Sequence, residues 1–242
     1  MRVGFVLPGV FTGSSIALCP SVASLFPDDG KDTLIIFPGG KLNSPNSLEQ
    51  MKNSIYDLVN EDNIDGTIIW SSSLSGSVNS TVVLKRFEEI LSKPLVTIDG
   101  KSDSFPKIPN VCFDAYEGSR FLIQHCITVH GARRILYLRG PLNHNSSIKR
   151  YQAYLDALKE NGIPIDYNLI SEPTEWSQGG EGLRNMLEAR NLRPGRDFDM
   201  IVCASDLMTY ESEQVLKSYG YVVGEDVFIC GFNDSIDSRL LK

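Results

Sequence analysis

The sequence predicts an α/β protein of two lobes, each with a parallel sheet, and a cleft between them. Three observations predict it. Short β-branched runs end in clusters of small and polar residues, helical patterns separate these runs, and the alternation starts afresh near Asp114. Strands alternating with helices are the pattern of parallel α/β sheets. In open sheets of this kind ligands bind beyond the carboxyl ends of the strands, so polar residues at those ends would face one crevice.

The elements follow in order. Arg2–Leu7 opens the chain as an apolar strand, and Thr33–Phe37 is the next. The helix from Ser47 to Asn60 has the fullest signature: Ser47 at the cap, Gln50 three residues on, and Leu48, Met51, Ile55, Leu58 and Val59 at helical spacing. Gly66–Trp70, Leu95–Ile98 and Asn110–Phe113 read as further strands. After Asp114 come helix Glu117–Val129, strand Ile135–Leu138, helix Ser147–Asn161, a strand near Asn168–Ile170 and helix Gly180–Ala189. Strand Met200–Cys203, helix Leu207–Tyr219 and strand Val227–Cys230 complete the series. Gly131, Gly162 and Gly220 stand where helix C-caps are expected. The two series divide the chain into lobes 1–113 and 114–242. No Gly/Ser-rich linker lies between Phe113 and Glu117, which predicts a short, stiff crossover.

Four strand ends carry acids: Asp99, Asp114, Ser205-Asp206 and Gly231-Phe232-Asn233-Asp234. Each alone reads equally as a turn former or helix N-cap, and Asp206, directly before the apolar helix opened by Leu207, reads as a cap. As a set they would converge on one cleft.

At 242 residues and 42% hydrophobic content the chain can bury a full core. Its longest apolar runs are strand-sized, and Met1-Arg2 leads straight into the first strand, so neither a signal segment nor a membrane anchor is expected. The five cysteines (Cys19, Cys112, Cys126, Cys203, Cys230) are odd in number and scattered, which suits reduced thiols and a cytoplasmic protein. A net charge of −7 argues against nucleic acid being held by this chain alone.

Catalytic signatures are absent: no G-x-x-x-x-G-K-[ST], no G-x-G-x-x-G after the first strand, no G-x-S-x-G. Gly9 and Gly13 bracket the loop after the first strand, a weak signal by itself. His125 and His130 are five apart and do not share a helix face as a zinc-binding i, i+4 pair does. No catalytic residue, metal or cofactor is expected.

A family becomes visible in an ordered set of segments. They are Ile64-Asp65-Gly66-Thr67-Ile68-Ile69, Pro94-Leu95-Val96-Thr97-Ile98-Asp99, the run His130 to Pro141, Arg150-Tyr151-Gln152-Ala153-Tyr154, Cys203-Ala204-Ser205-Asp206-Leu207-Met208 and Asp226 to Asp234. From about Arg2 to Asp237 the chain resembles the LacI/GalR-type sensor domain, of type I periplasmic-binding-protein fold. The resemblance implies two Rossmann-like lobes, a small effector such as a sugar or nucleobase between them, and a homodimer. The chain begins at the first sensor strand, without the helix-turn-helix of regulators. It stops at Lys242, ahead of the segments that complete the first lobe, so the fold reads as C-terminally incomplete. Phe37-Pro38-Gly39-Gly40, Ile68 to Ser72 and His130 to Arg134 look like the subgroup fused to signalling outputs such as a diguanylate cyclase or histidine kinase. Ile148 stands where many sugar-binding members have Arg, and Ser205 where they have Asn; both changes remove polar grip on a sugar.

Carried over position by position, the resemblance implies a ligand site of Asp99, Phe113, Trp176, Ser205 and Asn233, with His144, Asn145 and Asp234 beside them. Phe113 and Trp176 would stack on a ring while amides and acids orient it; core filling is the other reading of both. Arg150 reads as structural. The expected function is a small-molecule effector-binding sensor domain of a regulatory or signalling protein, its partner a small polar ligand (sugar, nucleoside or similar). Two other readings stay open: an α/β enzyme using the same cleft with Asp99 or Asp234 as base, and the sensor of a helix-turn-helix transcription regulator.

Overall fold

The structure is a computed structural model that describes residues 1–11, 14–26, 30–75 and 78–235. Gly13 and Asp237 lie outside the described residues. The chain divides into two compact units at the Phe113–Asp114 bond. Among the described residues no helix is long and apolar enough to cross a membrane.

In the first unit β1 (Arg2–Leu7), β2 (Thr33–Pro38), β3 (Gly66–Trp70), β4 (Leu95–Ile98) and β5 (Asn110–Val111) form one parallel sheet in the order β2-β1-β3-β4-β5. Strand side chains alternate between faces. Val6 packs with Phe37, Ile64, Ile69 and Leu84 on one side, Phe5 and Leu7 with Cys19, Val22, Trp70 and Ile98 on the other. Burial on both faces is why these strands read as near-continuous apolar runs. Helices α1 (Ser15–Ala23), α2 (Ser47–Lys52), α3 (Ser71–Ser75) and α4 (Ser80–Arg86) connect them.

Two expectations are corrected here. Helix α2 is capped by Asn46, whose Oδ1 accepts from the amides of Leu48 (2.9 Å) and Glu49 (3.4 Å), and not by Ser47. Gln50 donates instead to the Ser44 carbonyl at 2.7 Å. From Asn53 to Leu58 the helix tightens to 3₁₀. There the Asn53 side chain accepts from the Gly40 amide, and the Tyr56 hydroxyl donates to the Leu7 and Gly40 carbonyls, both at 3.0 Å. A Cβ on Gly39 would lie 2.3 Å from Tyr56 Cζ, so this seat requires glycine. Leu48, Met51 and Leu58 of the predicted stripe are exposed. The second correction is the strand expected to reach Phe113, which ends at Val111. Its ladder partner β4 stops at Ile98, and Asp99 turns away with φ +43°.

In the second unit β6 (Ile135–Leu138), β7 (Met200–Cys203) and β8 (Phe228–Cys230) form a parallel sheet in that order. The strand expected near Asn168–Ile170 is reduced to one parallel bridge, Tyr137 to Ile170. Residues Tyr167–Leu169 wind into a 3₁₀ turn because Asp166 Oδ1 accepts from the Asn168 amide at 2.8 Å. Helices α5 (Ala115–Thr128), α6 (Asn145–Glu160), α7 (Gly179–Ala189) and α8 (Asp206–Ser218) each start one or two residues before the position the sequence predicts. Asp114 caps α5, accepting from the Glu117 amide at 3.0 Å. Gly131, Gly162 and Gly220 take φ of +71°, +66° and +82°, the left-handed geometry that ends a helix. The core between sheet and helices holds Ile123, Leu136, Leu138, Tyr154, Leu183, Phe198, Ile201 and Leu216.

Candidate functional site

The carboxyl ends of β6, β7 and β8 run into Arg139-Gly140, Ala204-Ser205 and Gly231-Phe232-Asn233-Asp234. Arg150 of α6 is buried among them. Its Nη1 donates to the Ala204 carbonyl at 2.5 Å and its Nη2 to Asn233 Oδ1 at 3.4 Å. The guanidinium carbon lies 3.9 Å from the Phe232 ring centroid and 5.6 Å from that of Trp176, a cation between two aromatic rings. His144 meets Trp176 edge-on, centroids 5.1 Å apart.

Local chemistry places each ring. Trp176 sits in a turn closed by the Gln178 amide on the Glu175 carbonyl (3.0 Å), and it packs half-buried against the core. A Cβ on Gly140 would lie 2.6 Å from Trp176 Cζ3, so glycine lets the indole close onto the end of β6. The Phe232 loop is pinned by Asp206. The Asp206 amide donates to the Phe232 carbonyl at 3.1 Å, and its Oδ2 accepts from the Ser235 amide at 2.7 Å. Between these ties Asn233 and Asp234 take φ of +131° and +48°, strained backbone held by its surroundings.

Asp206 is therefore not the cap of α8. That role falls to Ser205, extended at φ −155° and ψ 162°, whose Oγ accepts from the Met208 amide at 3.5 Å. Burial pushes the Cys203 thiol up to about 12, so it stays protonated at neutral pH and offers no nucleophile.

The first unit holds the other two predicted residues. Asp99 is buried at the end of β4; its amide donates to Val111 (2.7 Å) and its carbonyl accepts from Ser72 (2.8 Å). Gly100 follows at φ +104°, where a Cβ would meet Ser80 Oγ at 2.5 Å. Phe113 is 55% exposed beyond β5.

Of the eight predicted residues, the structure gathers His144, Trp176 and Asn233 around Arg150, with Ser205 following Ala204 and Asp234 following Asn233. Asn145 is exposed as the first residue of α6. Reading the sequence missed Phe232 and the central place of Arg150. An aromatic ring between Gly231 and Asn233 at a strand end was the available signal for the first. An open depression of about 460 Å³, lined by Ile127, Thr128, Arg133, Asn161 and Ile163, lies at the C-terminal ends of α5 and α6 and holds none of the predicted residues.

His125 and His130 do meet, with rings 4.9 Å apart, because α5 ends at Thr128 and the chain folds back. Among the described residues no group of three or more His, Cys, Asp or Glu is arranged to hold a metal.

A family model described as periplasmic binding proteins and sugar binding domain of LacI family matches residues 41–236. The chain belongs to this family. Among relatives of this LacI-family domain, the HTH-type transcriptional regulator CelR of Thermobifida fusca is 32% identical over 130 residues, 53% of this chain and 36% of that protein. The HTH-type transcriptional repressor PurR of Pasteurella multocida is 25% identical over 198 residues, 81% of this chain and 55% of that one. A solved structure of a transcriptional regulator CelR–cellobiose complex shares the fold with a TM-score of 0.73 at 24% identity, covering 97% of this chain and 68% of that chain. The LacI-family chain described here spans from 30% to 58% of the length of the curated relatives it matches.

Proposed function

We propose that this chain is the effector-binding sensor domain of a LacI-family transcription regulator, and that its effector is a small polar ring compound such as a sugar or nucleoside. The observation that carries the reading is the Arg150 cluster. Two aromatic faces, a fixed guanidinium and the Asn233 amide stand together at the carboxyl ends of a parallel sheet, where ligands of such sheets bind. Trp176 and Phe232 supply ring faces, and His144, Asn145, Asn233 and Asp234 supply hydrogen-bonding groups. Arg150 positions Phe232 and Asn233. In the first unit Asp99 and Phe113 are the counterparts. A ligand preferring one arrangement of the protein shifts its population only by that preference, which is how binding would reach an output.

Relatives named as HTH-type transcriptional regulators support a transcriptional output over a signalling enzyme. With a net charge of −7, DNA phosphates would not be held by this chain itself. Homodimerisation is part of the proposal, and sedimentation velocity tests it separately. Ile148 is 52% exposed and Ser205 spends its hydroxyl on a cap, so sugar hydroxyls would find fewer partners here.

The test is a thermal-shift screen with cellobiose, ribose, adenosine, free nucleobases and small hydroxy acids. A ligand at about 100 times its Kd adds roughly 2.7 kcal/mol, a rise of about 5–10 °C for a chain of this size. No shift above about 1 °C from any of them contradicts the reading.

A further inference from the structure

Cys126 of α5 and Cys230 at the end of β8 lie 104 positions apart in sequence, yet their Sγ atoms are 3.7 Å apart. Both are free thiols; Cys126 is buried and Cys230 half-buried. We propose that these two cysteines are a redox-sensitive latch, closed by peroxide into a disulfide that ties α5 to strand β8 and displaces the Phe232–Asn233 loop.

The sulfurs already face each other, and a bond of about 2.05 Å requires them to approach by roughly 1.7 Å. Among the described residues β8 pairs only with β7, at the end of the sheet order, so the strand can give. Helix α5 touches the loop as well as the strand, since a Cβ on Gly118 would meet Phe232 Cε2 and Cζ at 3.2 Å. A pull at Cys230, two residues before Phe232, therefore acts where Phe232 is wedged between α5 and Arg150. The hydrogen bond between the thiols holds Cys126 below and Cys230 well above the ordinary thiol range, so the pair gives up its first proton at Cys126.

The chemistry balances with hydrogen peroxide as the oxidant. The Cys126 thiolate attacks one peroxide oxygen; the O–O bond breaks, hydroxide leaves and Cys126 becomes a sulfenic acid. The Cys230 sulfur then attacks the Cys126 sulfur, the S–O bond breaks, and the hydroxyl leaves with the Cys230 proton as water. Overall two thiols are oxidised, one peroxide is reduced, and two waters form.

Cys112 is exposed and would form links between chains, so the test uses the full chain carrying Cys112→Ser. Treatment with hydrogen peroxide should lower the thiol count by two, lower the intact mass by about 2 Da and yield a Cys126–Cys230 linked peptide. The melting temperature should rise by roughly 5 °C or more, reversed by dithiothreitol, because a cross-link closing a loop of this length restricts the unfolded chain. Hydrogen exchange in the peptide 228–235 should change on oxidation in this protein and stay unchanged in the Cys126→Ser and Cys230→Ser variants. No linked peptide overturns the latch; a linked peptide with unchanged exchange in 228–235 overturns its coupling to the loop. None of these readouts needs an effector, so they stand apart from the ligand screen.

Discussion

The Arg150 guanidinium carbon rests 3.9 Å from the centre of the Phe232 ring, and this stacking joins helix α6 to the loop after β8. The same guanidinium holds the Ala204 carbonyl after β7, so one side chain fixes the exits of two strands. Arg150→Met keeps most of the aliphatic volume but leaves that buried carbonyl without its side-chain donor and the ring without its cation. The expected cost is about 2–4 kcal/mol, a fall in melting temperature of roughly 4–16 °C. Arg150→Lys should recover part of it, because an ammonium cannot reproduce the planar stack and fork. Thermal unfolding followed by circular dichroism measures both.

Gly140→Ala probes the seat of Trp176 without touching the indole itself. The new methyl would lie 2.6 Å from Cζ3, so the ring must swing outward. Affinity for whichever ligand the screen identifies should drop by roughly five- to 150-fold, as for the loss of one ring stack. Titration calorimetry reads this, and unchanged affinity would mean that Trp176 does not face ligand.

The corrected cap of α2 makes a contrast between neighbours. Asn46→Ala removes an acceptor for two helix amides and should cost about 1 kcal/mol. Ser47→Ala should stay within about 0.5 kcal/mol. Equal effects in urea unfolding would place the cap back at Ser47.

Asp65 gives a pH signature. Hydrogen bonds from the Arg2 amide (2.7 Å) and then from the Arg2 side chain hold its carboxyl below the usual range. A carboxyl lowered in the folded state contributes stability that is present above its unfolded value and lost as pH falls through the folded one. Unfolding at pH 7 and at successively lower pH, in wild type and Asp65→Asn, should show the variant losing less stability on acidification. Parallel losses would contradict the assignment.

Much of the fold was legible in the sequence for a physical reason. Gly66–Trp70, Leu95–Ile98, Ile135–Leu138 and Met200–Cys203 are buried on both faces or nearly so, and each stops where polar residues leave the sheet. The failures lie where a local side-chain bond outranks the apolar pattern. Asn46 takes the cap from Ser47, Ser205 takes it from Asp206, and Asp166 winds the Tyr167–Leu169 segment that reads as strand. At the candidate site, Trp176 and Asn233 were readable as a ring and an amide in polar loops. Phe232 and Arg150 were not, because their pairing joins residues 82 positions apart that only the folded sheet brings together.

The proposal that the Arg150 cluster forms a wall of the ligand site is tested by Trp176→Ala, with melting temperature and ligand titration measured in parallel on variant and wild type. The indole is half-buried, so its loss should cost less than the roughly 3–5 kcal/mol of a fully buried aromatic. Binding should weaken by about five- to 150-fold in the same protein. A collapsed melting temperature with normal binding by the folded fraction would make Trp176 a core residue and contradict the account.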